Sequence, residues 1–438
     1  TLKIPAQNHD KTRGEPLLGV TGTLTRLLPT APFADTCLMV QFNQNRRRQP
    51  SEITPLETTP SENQRSGIVI ENVLNISVHE HGAHMTTNWV DLLNHIAGGR
   101  DLTSDEVSAA MHSIMSGEAS PAKIASFIYG IRVKGSTPTE LEAAASTMLD
   151  FAQPVKLPST PEDDRGPAVD IVGTGGDGAH TVNVSTMASL LFASMGIDVI
   201  KHGNRAALSR SGGADMLEAL GVPIDLSPDD VTHMLSQHHF AFIFARTYHP
   251  AMKYAAPVRS DIKVPTLFNL LGPMTNPARP TAGLIGCAFP EMTSVMADAF
   301  ARRGDTVLVV HGQDGLDEFS VSGPTDVYVT HDGGAERYEF DPRDYGFSYY
   351  PVRAIRGGDA DTNARVARQL FSLDPVADTP TTPLPCDMSA VENAVLFSAA
   401  GALVSAHGFG KESFRDAMGE ALDRAKAALH DEGTKDRI

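Results

Sequence analysis

The sequence predicts an α/β protein: a small helical domain followed by a larger α/β domain with a central mixed sheet flanked by helices. Three observations predict it. From Met85 to about Ala152 apolar residues recur at helical spacing. Beyond a proline-rich linker, short apolar runs alternate with helical stretches. Hydrophobic residues make up 41% of the 438, enough for a sizeable core in two or three domains, or in one with an extension.

Residues 1–84 carry no sustained period and are rich in Pro, Thr, Ser, Asn and Gln, as in "ITPLETTPSENQRSG"; they are expected to be disordered or loosely attached. The triple arginine Arg46–Arg48 reads as a solvated patch; His79 and His81 could share a metal, but no cysteine partner lies nearby. Met85, where the ordered-looking sequence opens, is a natural start for translation.

The helical domain, 85–155, has explicit start signals. Thr103 and Glu106 form a capping box ahead of Val107, Ala110, Met111 and Ile114 on one face. Ser120–Pro121 and Thr137–Pro138 with Glu140 open two further helices. The linker "PVKLPSTPEDDRGP" follows, then the α/β domain from 165 to 438. Its strands read as "AVDIVG", "IDVIKHG", "FAFIFA", "TVLVVHG" and "TDVYVTHDG", with helices such as "SGGADMLEALG" and the Ser227-capped "SPDDVTHMLSQ" between them. The stretch from about 249 to 280 is helical and loop-like, and is expected to rejoin the helical domain.

A formal charge of −17 argues against a general nucleic-acid or membrane binder, because a phosphate backbone is repelled overall. Three cysteines (Cys37, Cys287, Cys386) without a C-x-x-C pair exclude a disulfide scaffold and a structural zinc site, and suit a reducing cytoplasm. The apolar runs are shorter than a membrane span, and the polar beginning does not read as a signal peptide.

"DIVGTGGDGAHTVNVST", Asp170 to Thr186, carries the spacing G-x-G-x-x-G at Gly173, Gly175 and Gly178. A dinucleotide fingerprint is rejected. Its helix should begin at the last glycines, where "DGAHTVNVST" intervenes, and Asp198 precedes the second strand instead of ending it. A phosphate loop fits better: glycines let backbone N–H groups approach phosphate oxygens, and a helix starting near Ser185 points its positive end the same way. Asn183, Ser185 and Thr186 add side-chain donors. A second strand ends in "KHGNRAALSRSGG", bringing Lys201, Asn204 and Arg205. A third ends in "HGQDGLDEFS", offering Asp317 and Glu318, an acid pair suited to magnesium beside phosphate.

Together "GTGGDG…TVNVST", "KHGNR", "SGGADMLEALG", "HPAMK…PVR", "TLFNLLGPMTNP" and "GLDE" resemble the anthranilate phosphoribosyltransferases of tryptophan biosynthesis, in order from about Thr86 to the C-terminus. The resemblance implies transfer of the 5-phosphoribosyl group from 5-phosphoribosyl 1-pyrophosphate to the amine of anthranilate. It also implies a homodimer through the helical domain, and no nucleic-acid or membrane partner. Carried over, Gly173, Gly176, Asp177 and Thr181 line the phosphoribosyl pyrophosphate site. They are joined by Asn183, Val184, Ser185 and Thr186, by Lys201, His202, Gly203, Asn204, Arg205, Ala206, Ala207, Leu208 and Ser209, and by Gly213. Arg259 faces the anthranilate carboxylate, with Gly173 and Asn204 in the same position. Ser185, Asp317 and Glu318 look like the ligands of Mg2+, and Lys201 with the two acids looks catalytic. His202 and His249 match positions near the anthranilate path, or are packed structural histidines.

The chain departs from the pattern at Gly213, usually a serine touching phosphate, at Leu208, usually a small hydroxyl residue, and at Arg246, usually proline; altered affinity is expected there. Among rivals, a pyrimidine nucleoside phosphorylase should carry a lysine soon after the first glycines, where this chain has "GTGGDGAHT". A nucleic-acid-binding paralogue should be basic along its cleft and lack the acid pair.

Overall fold

A computed structural model describes residues 87–157, 167–206, 210–373, 382–410 and 412–438. Arg46–Arg48, the histidines of the leader, Met85, most of the linker, and Ala207, Leu208 and Ser209 lie outside the described residues.

Four helices open the fold: α1 (Trp89–Ala97), α2 (Ser104–Met115), α3 (Pro121–Lys134) and α4 (Pro138–Asp150). The start signals operate as the spacing predicts. Thr103 and Glu106 close a reciprocal capping box on α2, Thr137 and Glu140 do so on α4, and the Ser120 hydroxyl caps α3. Val107, Ala110, Met111 and Ile114 are all buried.

A seven-stranded sheet follows: β1 (Val169–Gly173), β2 (Val199–Gly203), β3 (Phe240–Phe244), β4 (Ala282–Gly286), β5 (Thr306–Gly312), β6 (Thr325–His331) and β7 (Gly334–Phe340). Spatial order is β3-β2-β1-β4-β5-β6-β7; the first five strands run parallel, while β6 and β7 are antiparallel. Order therefore reverses at β1, which lies between β2 and β4. Open parallel sheets bind ligands outside the carboxyl ends of the strands at such a point.

The helices between strands are α5 (Val184–Ser194), α6 (Gly213–Leu220), α7 (Pro228–His238), the single turn α8 (Ala245–Tyr248), α9 (Ala256–Ile262), α10 (Leu267–Leu271) and α11 (Pro290–Arg303). After β7 come α12 (Ala360–Leu370), α13 (Met388–His407) and α14 (Phe414–Leu429). Strand residues feed three cores, the smallest holding Ile200 of β2 and Ala241 and Ile243 of β3 with Val231 and Leu235 of α7. Val199, Phe240, Phe242, Leu284, Leu308 and Val310 pack under α5, α13 and α14, whereas Ile285, Val307 and Val309 pack with α11 and the opening helices. Val258 of α9 and Leu267, Phe268 and Leu271 of α10 belong to that second core, whereas Ala278 lies in the third. No apolar boundary separates those helices from the sheet among the described residues.

Two strands and the three helices α12, α13 and α14 escape the sequence reading. β4, "AGLIG", is five residues with two glycines, too short and plain to show alternation. β7, "GAERYEF", is a half-exposed edge strand whose charges mask its period. α13 is 20 residues and apolar enough to cross a bilayer, contrary to the expectation that no such run exists; it is instead mostly buried as the central helix of the first core.

Candidate active site

The site grows from the reversal point. β1 ends at Gly173, and the loop to α5 turns through Gly175, Gly176 and Gly178, all at positive φ between 67° and 91°. This path is open to glycine and strained for other residues. α5 then begins directly after the loop with Asn183 as N-cap, and the unpaired N–H groups of a helix N-terminus are suited to phosphate. On β2, Lys201 is 3% exposed; its ammonium donates to the Ile171 carbonyl of β1 and to Ser185 Oγ (3.2 Å).

The acids arrive from the far side of β4. The loop after β5 crosses the end of β4, so that Gly175 N–H donates to Asp317 Oδ2 (2.6 Å) and Ser185 N–H donates to Glu318 Oε1 (3.2 Å). That crossing depends on missing side chains: a Cβ on Gly286 would lie 1.7 Å from the Asp317 carbonyl oxygen, and one on Gly173 would lie 2.2 Å from Asp317 Oδ2. The loop is braced from within, because Ser320 and Ser322 hydroxyls both donate to Asp314 Oδ2 at 2.5 Å. Gly173, Ser185, Lys201, Asp317 and Glu318 are thus brought together, although β4 separates their strands.

Burial dominates the electrostatics. It pushes the Asp317 carboxyl up to about 7, helped by the nearby Asp177, and Glu318 up to about 8, helped by Asp317. The same burial drives Lys201 down, against the pull of Asp170, Glu318 and Asp317. Two buried carboxyls sharing one ammonium are short of positive charge, which suits a hard cation. Among the described residues no three His, Cys, Asp or Glu side chains cluster as a metal cage. A cation held here would complete its shell with water and ligand phosphate, as magnesium does.

The β1–β2 seam is unusual. Main-chain pairing covers only Val169 with Val199, and side chains continue it: Asp170 Oδ1 accepts from His202 N–H (3.2 Å), and Asn276 Nδ2 donates to both Asp170 Oδ2 and the Ile200 carbonyl (2.9 Å each). The strands therefore part towards their carboxyl ends, between the two ligand loops. Asp170, an acid inside an apolar run, was a legible signal that the motif reading passed over.

Other expected site residues are otherwise engaged. The Arg205 guanidinium pairs with Asp215 (3.0 Å) and Glu218 of α6 and lies over Phe244, so its side chain is committed to structure. Asp215 also accepts from Ala206 N–H (3.0 Å) and Gly212 N–H (2.8 Å), shaping the β2 loop. Asn204 Oδ1 accepts from Arg205 N–H (2.8 Å). Asn183 is bonded to Ser211, and Thr181 bridges to Arg356. Val184 packs into the core, and a Cβ on Gly203 would meet the Phe242 ring. Gly213 opens α6, where a Cβ would come within 2.8 Å of Thr186 Oγ1. Asp177 accepts from Ala179 N–H (3.1 Å), and Gly176 is exposed on the loop.

His202 and His249 are buried with ring centroids 5.1 Å apart, each bonded to a carbonyl of the segment after α10. Burial holds them down, at about 3 and about 4, so both are neutral near pH 7. Arg259 on α9 is half-buried over Phe268 (5.4 Å), and no carboxylate is paired with it among the described residues.

Comparison with known proteins agrees over most of the chain. The family described as "Glycosyl transferase family, a/b domain" matches residues 165–434, and "Glycosyl transferase family, helical bundle domain" matches 90–152. The anthranilate phosphoribosyltransferase of Corynebacterium jeikeium (strain K411) is 48% identical over 342 residues, 78% of this chain and 89% of that protein. Its counterpart in Rhodococcus jostii (strain RHA1) is 46% identical over 348 residues, 80% and 91% respectively. Among solved structures, anthranilate phosphoribosyltransferase from Thermus thermophilus aligns with a TM-score of 0.64 at 36% identity, covering 78% of this chain and all of that one. The Saccharomyces cerevisiae enzyme in complex with PRPP and Mg aligns with a TM-score of 0.67, covering 81% and 96%; at 23% identity this likeness is one of fold.

Proposed function

The chain belongs to the anthranilate phosphoribosyltransferase family, pentosyl transferases that make N-(5-phosphoribosyl)anthranilate and pyrophosphate, and we propose that it carries out this reaction where β1, β2 and the β5 loop converge. The observation that carries the reading is the meeting of the glycine loop, the start of α5, Lys201, Asp317 and Glu318.

The aromatic amine of anthranilate is neutral near pH 7 and needs no base to free its lone pair. The barrier is cleavage of the C1–pyrophosphate bond, which builds positive charge on the ribose and negative charge on the leaving group. Backbone N–H groups of the glycine loop and the N-terminus of α5 hold the phosphates, and Lys201 stabilises the departing anion. Ser185, Asp317 and Glu318 would hold Mg2+, which neutralises pyrophosphate charge when bound. Arg259, with no carboxylate partner among the described residues, receives the anthranilate carboxylate in its fork and presents the amine opposite the leaving group, so C1 is inverted.

Anthranilate fluorescence tests the reading directly. Decay that requires enzyme, phosphoribosyl pyrophosphate and magnesium, and stops with chelator, is expected. Folded protein with no decay, or one that cleaves thymidine with phosphate, would overturn it. Arg259→Ala should raise the anthranilate KM roughly 10- to 100-fold, the worth of one hydrogen-bonded charge pair, with the phosphoribosyl pyrophosphate KM almost unchanged.

The homodimer reading rests on an apolar face of the opening helices, where Val90, Tyr129 and Val133 are 70%, 51% and 71% exposed. Exposed apolar side chains grouped on neighbouring helices favour association. Val133→Glu should halve the mass seen by sedimentation; a variant that keeps the parent mass would argue for another interface.

A further inference from the structure

The segment 355–363, "IRGGDADTN", belongs to none of the motifs above, yet it runs along the second arm of the glycine loop. Val182 N–H donates to the Ile355 carbonyl (2.9 Å), Gly357 N–H donates to the His180 carbonyl (2.9 Å), and Thr181 bridges Arg356. The approach is close: a Cβ on Gly357 would lie 2.5 Å from the Thr181 carbonyl oxygen.

Asn363, in the first turn of α12, is 1% exposed. Its Oδ1 accepts from Gly358 N–H (2.8 Å), and its Nδ2 donates to Asn183 Oδ1 (2.8 Å). Asn183 is the N-cap of α5 but gives that helix no side-chain cap bond. Instead its Nδ2 donates to the Ser211 carbonyl (3.2 Å), and its Oδ1 also accepts from Ser211 Oγ (3.4 Å). With Asn363 donating to Oδ1, only one orientation of the Asn183 amide is satisfied. Flipped, it would set NH2 against NH2 at Asn363 and oxygen against oxygen at Ser211. The glycine loop with the start of α5, the β2 loop and the start of α12 therefore meet on two amides.

We propose that Asn363 is a positioning residue for phosphoribosyl pyrophosphate: acting through Asn183, it locks the two phosphate-facing loops into one frame. The inference rests on the site being the phosphoribosyl pyrophosphate site. It predicts an effect on that substrate and not on anthranilate, which enters against Arg259.

Asn363→Asp isolates the contact, because it keeps the acceptor for Gly358 and the side-chain volume but sets an anion against Asn183 Oδ1. The phosphoribosyl pyrophosphate KM should rise about tenfold, the equivalent of one buried hydrogen bond, with kcat and the anthranilate KM within about twofold. Asn363→Ser, a milder change, should show the same pattern at about threefold, and serves if the aspartate variant does not fold. In the cycle of Asn183→Ala and Asn363→Ala the double variant should be no worse than the poorer single one. Wild-type KM in the folded aspartate or serine variant, an equal rise in both substrate KMs, or additive losses in the cycle would overturn the proposal. A wild-type enzyme that itself shows no turnover of phosphoribosyl pyrophosphate would remove the functional reading instead.

Discussion

Asp317→Asn together with Glu318→Gln should lower turnover about a thousandfold and, in the ligand-free protein at pH 8, raise the melting temperature. The first effect is expected because the two acids are proposed to hold the cation that balances pyrophosphate charge. The second follows from burial. In the folded chain the two carboxyls are pushed up to about 7 and about 8, whereas in the unfolded chain such groups release their protons near 4. Between those values the folded state holds protons that the unfolded state has lost. Stability therefore falls as pH rises through roughly 4 to 8 and is lowest above that window. The Lys201 ammonium offsets part of the penalty, leaving a few kcal/mol in all. Neutral amides do not titrate, so melting curves of parent and variant should coincide below about pH 4 and separate by pH 8, the variant being the more stable. A parent that gains stability relative to the variant as pH rises would show that the acids are not strained as described. Magnesium with phosphoribosyl pyrophosphate should restore the parent's stability at pH 8 and leave the variant unchanged.

Gly286→Ala should lower the melting temperature by about 3–6 °C and kcat/KM by at least about a hundredfold. Its Cβ would fall 1.7 Å from the Asp317 carbonyl oxygen, a backbone atom that no rotamer change can move aside. Relief requires lifting the acid loop off the end of β4, which breaks the Gly175–Asp317 and Ser185–Glu318 bonds together. Clashes of this kind cost upwards of about 3 kcal/mol, and a protein of this size loses roughly 1–2 °C per kcal/mol. Gly334→Ala on the edge strand is the control, since its Cβ would meet nothing closer than 3.9 Å. Normal magnesium dependence and normal rates in Gly286→Ala would mean that the crossing over β4 is not needed to place the acids.

Much of this is legible in the residues. Capping boxes at Thr103 and Thr137 specify helices locally, because a side chain satisfies N–H groups three residues away. The strand ends at Gly173, Gly203 and Gly312 mark one edge of the sheet, and the glycine, lysine and acid motifs fall there in the right order. β4, β7 and α13 are not legible. A five-residue strand buried on both faces has no alternation, a charged edge strand looks like loop, and a helix apolar all round has no stripe by which periodicity finds it.

The capped helix starts and the placing of the glycine, lysine and acid motifs at strand ends follow from the residues alone, since these depend on neighbours along the chain and on side-chain type. Which groups stay free for substrate is settled in three dimensions. Arg205 turns to Asp215 and Glu218, Asn183 turns to Ser211 and Asn363, and Arg259 keeps a charge that no carboxylate pairs among the described residues. Packing also decides that Gly286, in a strand without a motif, lets the acids cross β4. The reason is physical: a side chain's partners are set by atoms within about 3 Å in space, and in a sheet whose strand order differs from chain order those atoms can come from residues more than a hundred positions away, as Asp317 does for Gly175 and Asn363 for Asn183.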